Sequence, residues 1–152
     1  MAPIAMVRAY VEKIVLEMLG GEGPLHVDDD GSIPVRRGSA VYYIDVVDRG
    51  ENPALVRVWS IVLRNAAGGR ALLKALNDIN SRILQARVYY ADGDVVMSTE
   101  LLADTVTVEN LSYAADAIGS LADRFDDELQ EHFSGEKSFE GEDADDEDTV
   151  VV

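Results

Sequence analysis

The sequence contains no cysteine, and none of its apolar runs is long enough to cross a bilayer. The absence of cysteine excludes disulfide bonds, zinc–thiolate sites and thiol catalysis. A membrane-spanning helix needs about 18 to 20 consecutive apolar residues, but Arg8, Glu12, Lys13 and Glu17 interrupt the apolar stretches near the N-terminus. We therefore expect neither a signal peptide nor a membrane span, and we predict a cytoplasmic location.

Basic residues are scarce, since 13 Lys and Arg oppose 29 Asp and Glu, which gives a net charge of −16. Eight of the acids and one lysine lie in residues 136–152, so residues 1–135 alone carry a charge of −9. Such a field repels phosphate groups, and we expect no nucleic acid and no anionic membrane as partners. The acidic body suits a basic or partly unfolded polypeptide, or it serves solubility alone; both interpretations stay open.

The periodic segments of the 152 residues follow the order α-β-β-β-α-β-β-α. This order predicts a single α+β domain, in which helices cover one face of an antiparallel sheet of about five strands. The domain is expected to span residues 1–135, and the acidic block in residues 136–152 predicts a disordered tail.

Helical spacing of apolar residues predicts a first helix that starts near Pro3 and ends at Gly20-Gly21, a second over 70–82, and a third capped by Thr107 that runs to Gly135. Alternation and β-branched residues predict strands over 25–27, 33–36, 39–47, 54–63, 84–90 and 95–101. Pro34 favours an edge position for its strand.

The two hairpins give their strands a dry face and a mixed face. A turn at Asp92-Gly93 pairs Tyr90 with Val95, which puts the apolar residues of that hairpin on one side. In the longer hairpin, the pairing of Asp45 with Arg57 leaves aromatic and charged side chains on the other side. We call this second side the mixed face, and its predicted partner-binding residues are Tyr43, Arg57, Trp59, Arg87 and Tyr89. These residue types are enriched in binding surfaces.

No motif in the sequence predicts catalytic residues, a cofactor or a metal. The run Asp28-Asp29-Asp30-Gly31 resembles part of a calcium loop, but His26 and Arg37 fall where such a loop needs acidic ligands, so a polar turn is the better interpretation. Gly68-Gly69 lacks the residues of a phosphate-binding loop. We therefore predict a non-enzymatic protein, although an enzyme with an unrecognised site remains a third possibility.

Two asparagines in the second predicted helix, Asn77 and Asn80, lie three residues apart and so share a helical face. Asparagine favours hydrogen bonds to nearby backbone over a helix interior. We predict that both side chains bond the loop or strand that begins at Ile83. The alternative is that both are exposed.

The stretch Leu72-Leu73-Lys74-Ala75-Leu76-Asn77-Asp78-Ile79-Asn80 resembles the corresponding helix of YbjN-like proteins, and the run 122–129 looks like the last helix of their actinobacterial branch. These proteins are grouped with type III secretion chaperones of the CesT and YopN-chaperone kind. The resemblance covers about residues 4–135. It implies an acidic, usually dimeric α+β domain that binds extended client segments without ATP hydrolysis.

The features together predict an ATP-independent chaperone or adaptor that acts as a homodimer and binds a client protein or peptide segment in an apolar groove and by strand addition. The alternative is a regulatory or scaffold protein whose mixed face is a permanent dimer interface. The terminal Thr149-Val150-Val151-Val152 either occupies the client groove of its own chain or belongs to a tail that only aids solubility.

Overall fold

The computed structural model describes residues 2–21, 24–37, 40–133 and 135–137, and it places them in three α-helices and an antiparallel sheet. The helices are α1 (Ile4–Met18), α2 (Arg70–Asn80) and α3 (Val108–His132), and a 3₁₀ turn, Ala103–Thr105, precedes α3. The strands are β1 (Ile33–Arg37), β2 (Ala40–Arg49), β3 (Asn52–Arg64), β4 (Arg87–Ala91), β5 (Asp94–Leu102) and the two-residue β6 (Glu136–Lys137). The predicted α+β class and the predicted order are confirmed, with β6 in addition.

Helix boundaries follow the local signals in the sequence. Gly20 and Gly21 end α1 with φ angles of +110° and +75°, a conformation that residues with a side chain adopt only at a cost. At the start of α3, the Thr107 side chain accepts a hydrogen bond from the Asn110 N–H at 3.1 Å, and the Asn110 side chain accepts one from the Thr107 N–H at 2.8 Å. This reciprocal capping box satisfies two N–H groups that a helix start leaves unpaired.

The strand order in the sheet is β1-β2-β3-β5-β4, and β6 pairs with the C-terminal end of β3. Tyr43 stands opposite Trp59 and Asp45 opposite Arg57, as the sequence predicts. The hairpin between β4 and β5 turns at Asp92 and Gly93, whose positive φ angles of 51° and 88° fit a two-residue turn. The register of both hairpins is thereby confirmed.

Helices α1 and α3 cover the dry face of the sheet, and α2 packs beside β4. The core combines buried residues of the helices with those of the dry face, among them Val11, Val15, Ile44, Val56, Val58, Leu72, Met97, Leu111, Ile118 and Phe125. Burial of one such side chain stabilises the fold by about 1.5–3 kcal/mol. The mixed face points away from this core.

Two strand predictions are wrong in detail. Residues 25–27 form no strand, because the chain folds into a turn in which the Asp28 N–H donates to the Ser32 carbonyl at 2.8 Å. The strand predicted from Leu84 begins only at Arg87. Leu84 itself is 82% exposed and Gln85 has a φ of +64°, so the chain bends between α2 and β4 where apolar residues had suggested a strand.

None of the helices among the described residues is both long enough and apolar enough to cross a membrane. Of the acidic segment 136–152, Glu136 and Lys137 form β6 beside β3. The remaining residues, 138–152, lie outside the described residues, and with them the prediction of a disordered tail that ends in Thr149–Val152.

Candidate partner-binding surface

Cross-strand pairing brings the five predicted partner-binding residues onto one face of the sheet. One row of directly paired residues crosses all five main strands and contains Pro34, Tyr43, Trp59, Ser98 and Arg87. The neighbouring row contains Asp45, Arg57 and Glu100. Tyr89 pairs with Val96 two positions from Arg87, and so it lies on the same side. The mixed face is therefore a contiguous surface opposite the helices.

An aromatic stack lies at the centre of this surface. The rings of Tyr43 and Trp59 stack with their centroids 4.6 Å apart. Tyr43 is only 3% exposed, whereas Trp59 is partly exposed. The buried Trp59 Nε1 donates to no acceptor among the described residues. Trp59, and not Tyr43, thus offers the aromatic contact area.

Burial also makes the phenol of this tyrosine harder to ionise. It raises the pKa of the Tyr43 phenol above its usual value, and the carboxylates of Asp28 and Asp30 raise this pKa further, while Arg64 acts against them. The phenol is therefore neutral throughout the physiological range.

Two arginines of the mixed face are held by acidic neighbours across the strands. The Arg57 guanidinium donates from Nε to Asp45 Oδ1 at 3.3 Å and from Nη2 to Asp45 Oδ2 at 3.2 Å. Burial alone would lower the pKa of Arg57, but the hydrogen bonds and the charge of Asp45 raise it, so the guanidinium stays charged. Bidentate pairs of this kind fix the side chain in one geometry.

Arg87 has a similar set of contacts nearer the sheet edge. Its Nε donates to Ser98 Oγ at 3.1 Å, its Nη2 donates to Glu100 Oε2 at 3.0 Å, and its guanidinium lies 5.0 Å from the Tyr89 ring centroid. The prediction from sequence did not include Ser98 and Glu100 among the partner-binding residues, nor Asp45. Their register opposite Arg87 and Arg57 was the signal that could have identified them.

Within the described ranges no group of three or more His, Asp or Glu side chains is placed to hold a metal ion. The Asp28–Asp30 turn bonds its own backbone and His26, since the Ser32 N–H donates to Asp30 Oδ1 and His26 Nε2 lies 3.0 Å from Asp28 Oδ1. It is thus the polar turn that the sequence favours.

A pocket of about 260 Å³ lies elsewhere, between α2 and the C-terminal end of α3. Ile79, Leu129 and Phe133 are among its apolar lining residues, and Arg82 and Glu128 are among its charged ones. This pocket belongs to the helical layer and is separate from the mixed face.

Comparison with known proteins agrees with the fold. A family model described as "T3SS (YopN, CesT) and YbjN peptide-binding chaperone 1" matches residues 5–141. No curated protein matches the chain.

Three solved structures share the fold at low sequence identity. A chain of the ExsC–ExsE complex matches with 15% identity and a TM-score of 0.63, over 79% of this chain and 93% of that one. A chain of the HopA1–SchA chaperone–effector complex matches with 8% identity and a TM-score of 0.61, over 84% and 99%. YbjN from E. coli, a putative transcription regulator, matches with 15% identity and a TM-score of 0.51, over 84% and 94%. The family match covers most of the chain, which therefore belongs to the family of type III secretion and YbjN peptide-binding chaperones.

Proposed function

We propose that this protein is a non-enzymatic, ATP-independent chaperone or adaptor of the cytoplasm that binds a client protein or peptide segment on its mixed face. Membership of a peptide-binding family supports the general function. Two of the structural relatives come from complexes named ExsC–ExsE and HopA1–SchA, the second of them a chaperone–effector complex. A protein client is therefore the best candidate partner.

The observation that carries the proposal is the aromatic and charged composition of the sheet face opposite the helices. Trp59 is partly exposed and is supported by the buried ring of Tyr43, so its indole is held in place before any partner arrives. Arg57 and Arg87 are oriented by Asp45 and Glu100. A preorganised aromatic side chain with fixed polar neighbours is typical of an anchor for a bound segment.

We further propose that the protein is a homodimer. Helix α2 exposes Leu73, at 53%, and Leu84 follows it in the bend before β4. Exposed apolar side chains of this size favour a contact with a second copy through α2, which would leave the mixed face open. In the alternative, a regulatory or scaffold protein, two mixed faces bury each other and no client site remains.

Truncation of Trp59 separates the two possibilities. We expect Trp59→Ala to weaken client binding by about 2 kcal/mol or more, as loss of an anchor does, and to leave the dimer intact in sedimentation at micromolar concentration. Tyr113→Ala is the matched control, since Tyr113 is an aromatic residue that is 62% exposed on α3, in the helical layer. A Trp59→Ala protein that sediments as a monomer would instead support the permanent interface.

The client itself is to be identified by photo-cross-linking. A photoreactive phenylalanine at position 89, on the mixed face, is compared with one at position 113, and the captured segments are identified by mass spectrometry from native cytoplasm. We expect client segments at position 89 and not at position 113. A wild-type protein that is monomeric at micromolar concentration contradicts the homodimer, and equal capture at the two positions contradicts the proposed surface.

A further inference from the structure

The free edge of β4 carries an unusual pair of hydrogen bonds. In the two-residue hairpin, Arg87, Tyr89 and Ala91 direct their N–H and C=O groups towards β5, so those of Val88 and Tyr90 point outwards. The outward Val88 N–H donates to Asn80 Oδ1 at 2.8 Å, and the Val88 carbonyl accepts from Asn80 Nδ2 at 2.9 Å. A single side-chain amide thus fills the place of a peptide group in an adjacent strand.

The position of Asn80 is fixed by the helix that carries it. Asn80 is the last residue of α2, and its neighbour Ile79 is buried in the core. Asn77, one turn earlier, is exposed as Asn80 is, but its side chain makes no hydrogen bond with the described residues. The sequence prediction for the two asparagines is therefore confirmed for Asn80 and wrong for Asn77.

The opposite edge of the sheet is protected in a related way. Just before β1, the Ser32 N–H donates to Asp30 Oδ1 at 3.0 Å, and the Ser32 carbonyl accepts from the Asp28 N–H at 2.8 Å. Within β1, Pro34 has no N–H to offer. Unpaired N–H and C=O groups of an edge strand are what an added strand would bind.

We propose that Asn80 seals the edge of β4 at Val88 and thereby prevents strand addition there, and that a client accordingly binds to the mixed face and not as an extra strand at this edge. This differs from the strand addition expected from sequence. Docking of a client on the face rests on the proposed function, whereas the seal rests on the contacts of Asn80 alone and is tested without a client.

The first experiment measures amide hydrogen exchange by NMR in the wild type and in the Asn80→Ala and Asn77→Ala variants. We expect the Val88 amide to exchange about tenfold faster in Asn80→Ala, because one hydrogen bond is lost, and to be unchanged in Asn77→Ala. The Tyr89 amide, which bonds β5, serves as the internal reference. An unchanged Val88 rate in Asn80→Ala overturns the seal.

A second variant controls for the possibility that Asn80→Ala lowers the stability of the whole domain. Asn80→Asp keeps the acceptor for the Val88 N–H and removes the donor to its carbonyl, so we expect slow exchange of Val88 there even if Asn80→Ala is partly unfolded. A Val88 amide that exchanges in Asn80→Asp as fast as in Asn80→Ala, with Tyr89 still protected, contradicts the inference.

The second experiment tests whether a peptide can bind as an added strand at the edge of β4. A synthetic peptide with the sequence of β5, Asp94–Leu102, is titrated against each variant, because β5 is the natural antiparallel neighbour of β4. We expect binding to Asn80→Ala at least tenfold tighter than to the wild type or to Asn77→Ala. Equal affinities for all three proteins overturn the seal.

The third experiment uses the client segment recovered by cross-linking, prepared as a synthetic peptide. In the wild type we expect it to shift the Trp59 indole N–H resonance and to leave the Asn80 side-chain amide resonances unchanged. Shifts at Asn80 with an unchanged Trp59 would show strand addition at β4 and contradict docking on the face. If no segment is captured, the proposed function fails, and the exchange data still decide the seal.

Discussion

Tyr43 illustrates how the mixed face depends on individual residues. The sequence predicts its face correctly, because the side-chain period of a strand is two, but it does not predict that the ring is almost completely covered. The stack with Trp59 covers one side of the ring, and the carboxylates of Asp28 and Asp30 lie near enough to act on the phenol; neither follows from strand alternation.

The raised pKa of Tyr43 makes stability depend on pH in the alkaline range. In the unfolded chain the phenol titrates near its ordinary pKa of about 10, whereas burial holds the folded pKa higher. The stability from neutral, buried Tyr43 is therefore fully present below pH of about 10 and is lost as pH rises through the folded pKa.

We expect Tyr43→Phe to lose less stability than the wild type between pH 8 and pH 11, since phenylalanine has no proton to release. Urea unfolding midpoints measured across that range give the comparison. Tyr113→Phe is the control for the substitution itself, because Tyr113 is a tyrosine that is 62% exposed on α3. Parallel profiles for wild type and Tyr43→Phe would refute the role assigned to burial.

At the scale of elements, the sequence predicts the strand registers that nearby turn residues and cross-strand pairs determine. The Asp92-Gly93 turn sets the register of β4 and β5, and paired β-branched and aromatic residues set that of β2 and β3. The bend between α2 and β4 escapes prediction because its apolar Leu84 resembles a strand residue, while the bonds of Asn80 to Val88 that join α2 to β4 are not visible in a local pattern.

The short strand β6 also escapes prediction, because Glu136 and Lys137 carry no apolar pattern. What permits its pairing is Gly135, which has a φ of +140° and lies so close to β3 that an added Cβ would be 2.9 Å from the Arg64 carbonyl oxygen and from Leu63 Cγ. Only glycine fits this approach.

We therefore expect Gly135→Ala to lower the free energy of unfolding by about 1–3 kcal/mol, the usual cost of a strained backbone conformation. Gly119→Ala is the matched substitution, because a Cβ there meets no atom within 4 Å and Gly119 lies inside α3. Alanine at position 119 should raise stability by about 0.5–1 kcal/mol. Denaturant midpoints that move in the same direction for both variants would contradict this account of β6.

At the scale of the whole molecule, charge governs how the acidic tail relates to the mixed face. Residues 138–152 contain seven of the 29 acidic residues, so their removal changes the net charge from −16 to −9. The body is thus acidic by itself and repels the tail. The two arginines of the mixed face, Arg57 and Arg87, are already paired with Asp45 and Glu100. Charge therefore opposes occupation of the mixed face by the tail.

The length of the tail does not prevent it from occupying the mixed face, since 15 residues extend to about 50 Å. The apolar side chains of Thr149–Val152 could also bind there without any help from charge. We expect truncation after Lys137 to leave the affinity for the client peptide unchanged at an ionic strength high enough to screen the lost charge. Tighter binding by the truncated protein under those conditions would mean that the tail competes with the client. A full-length variant with Thr149–Val152 replaced by Ser and Gly then shows which part of the tail competes. If the apolar terminus occupies the surface, this variant binds the client peptide as tightly as the truncated protein does. If the acidic block occupies it, the variant binds the client peptide as weakly as the wild type.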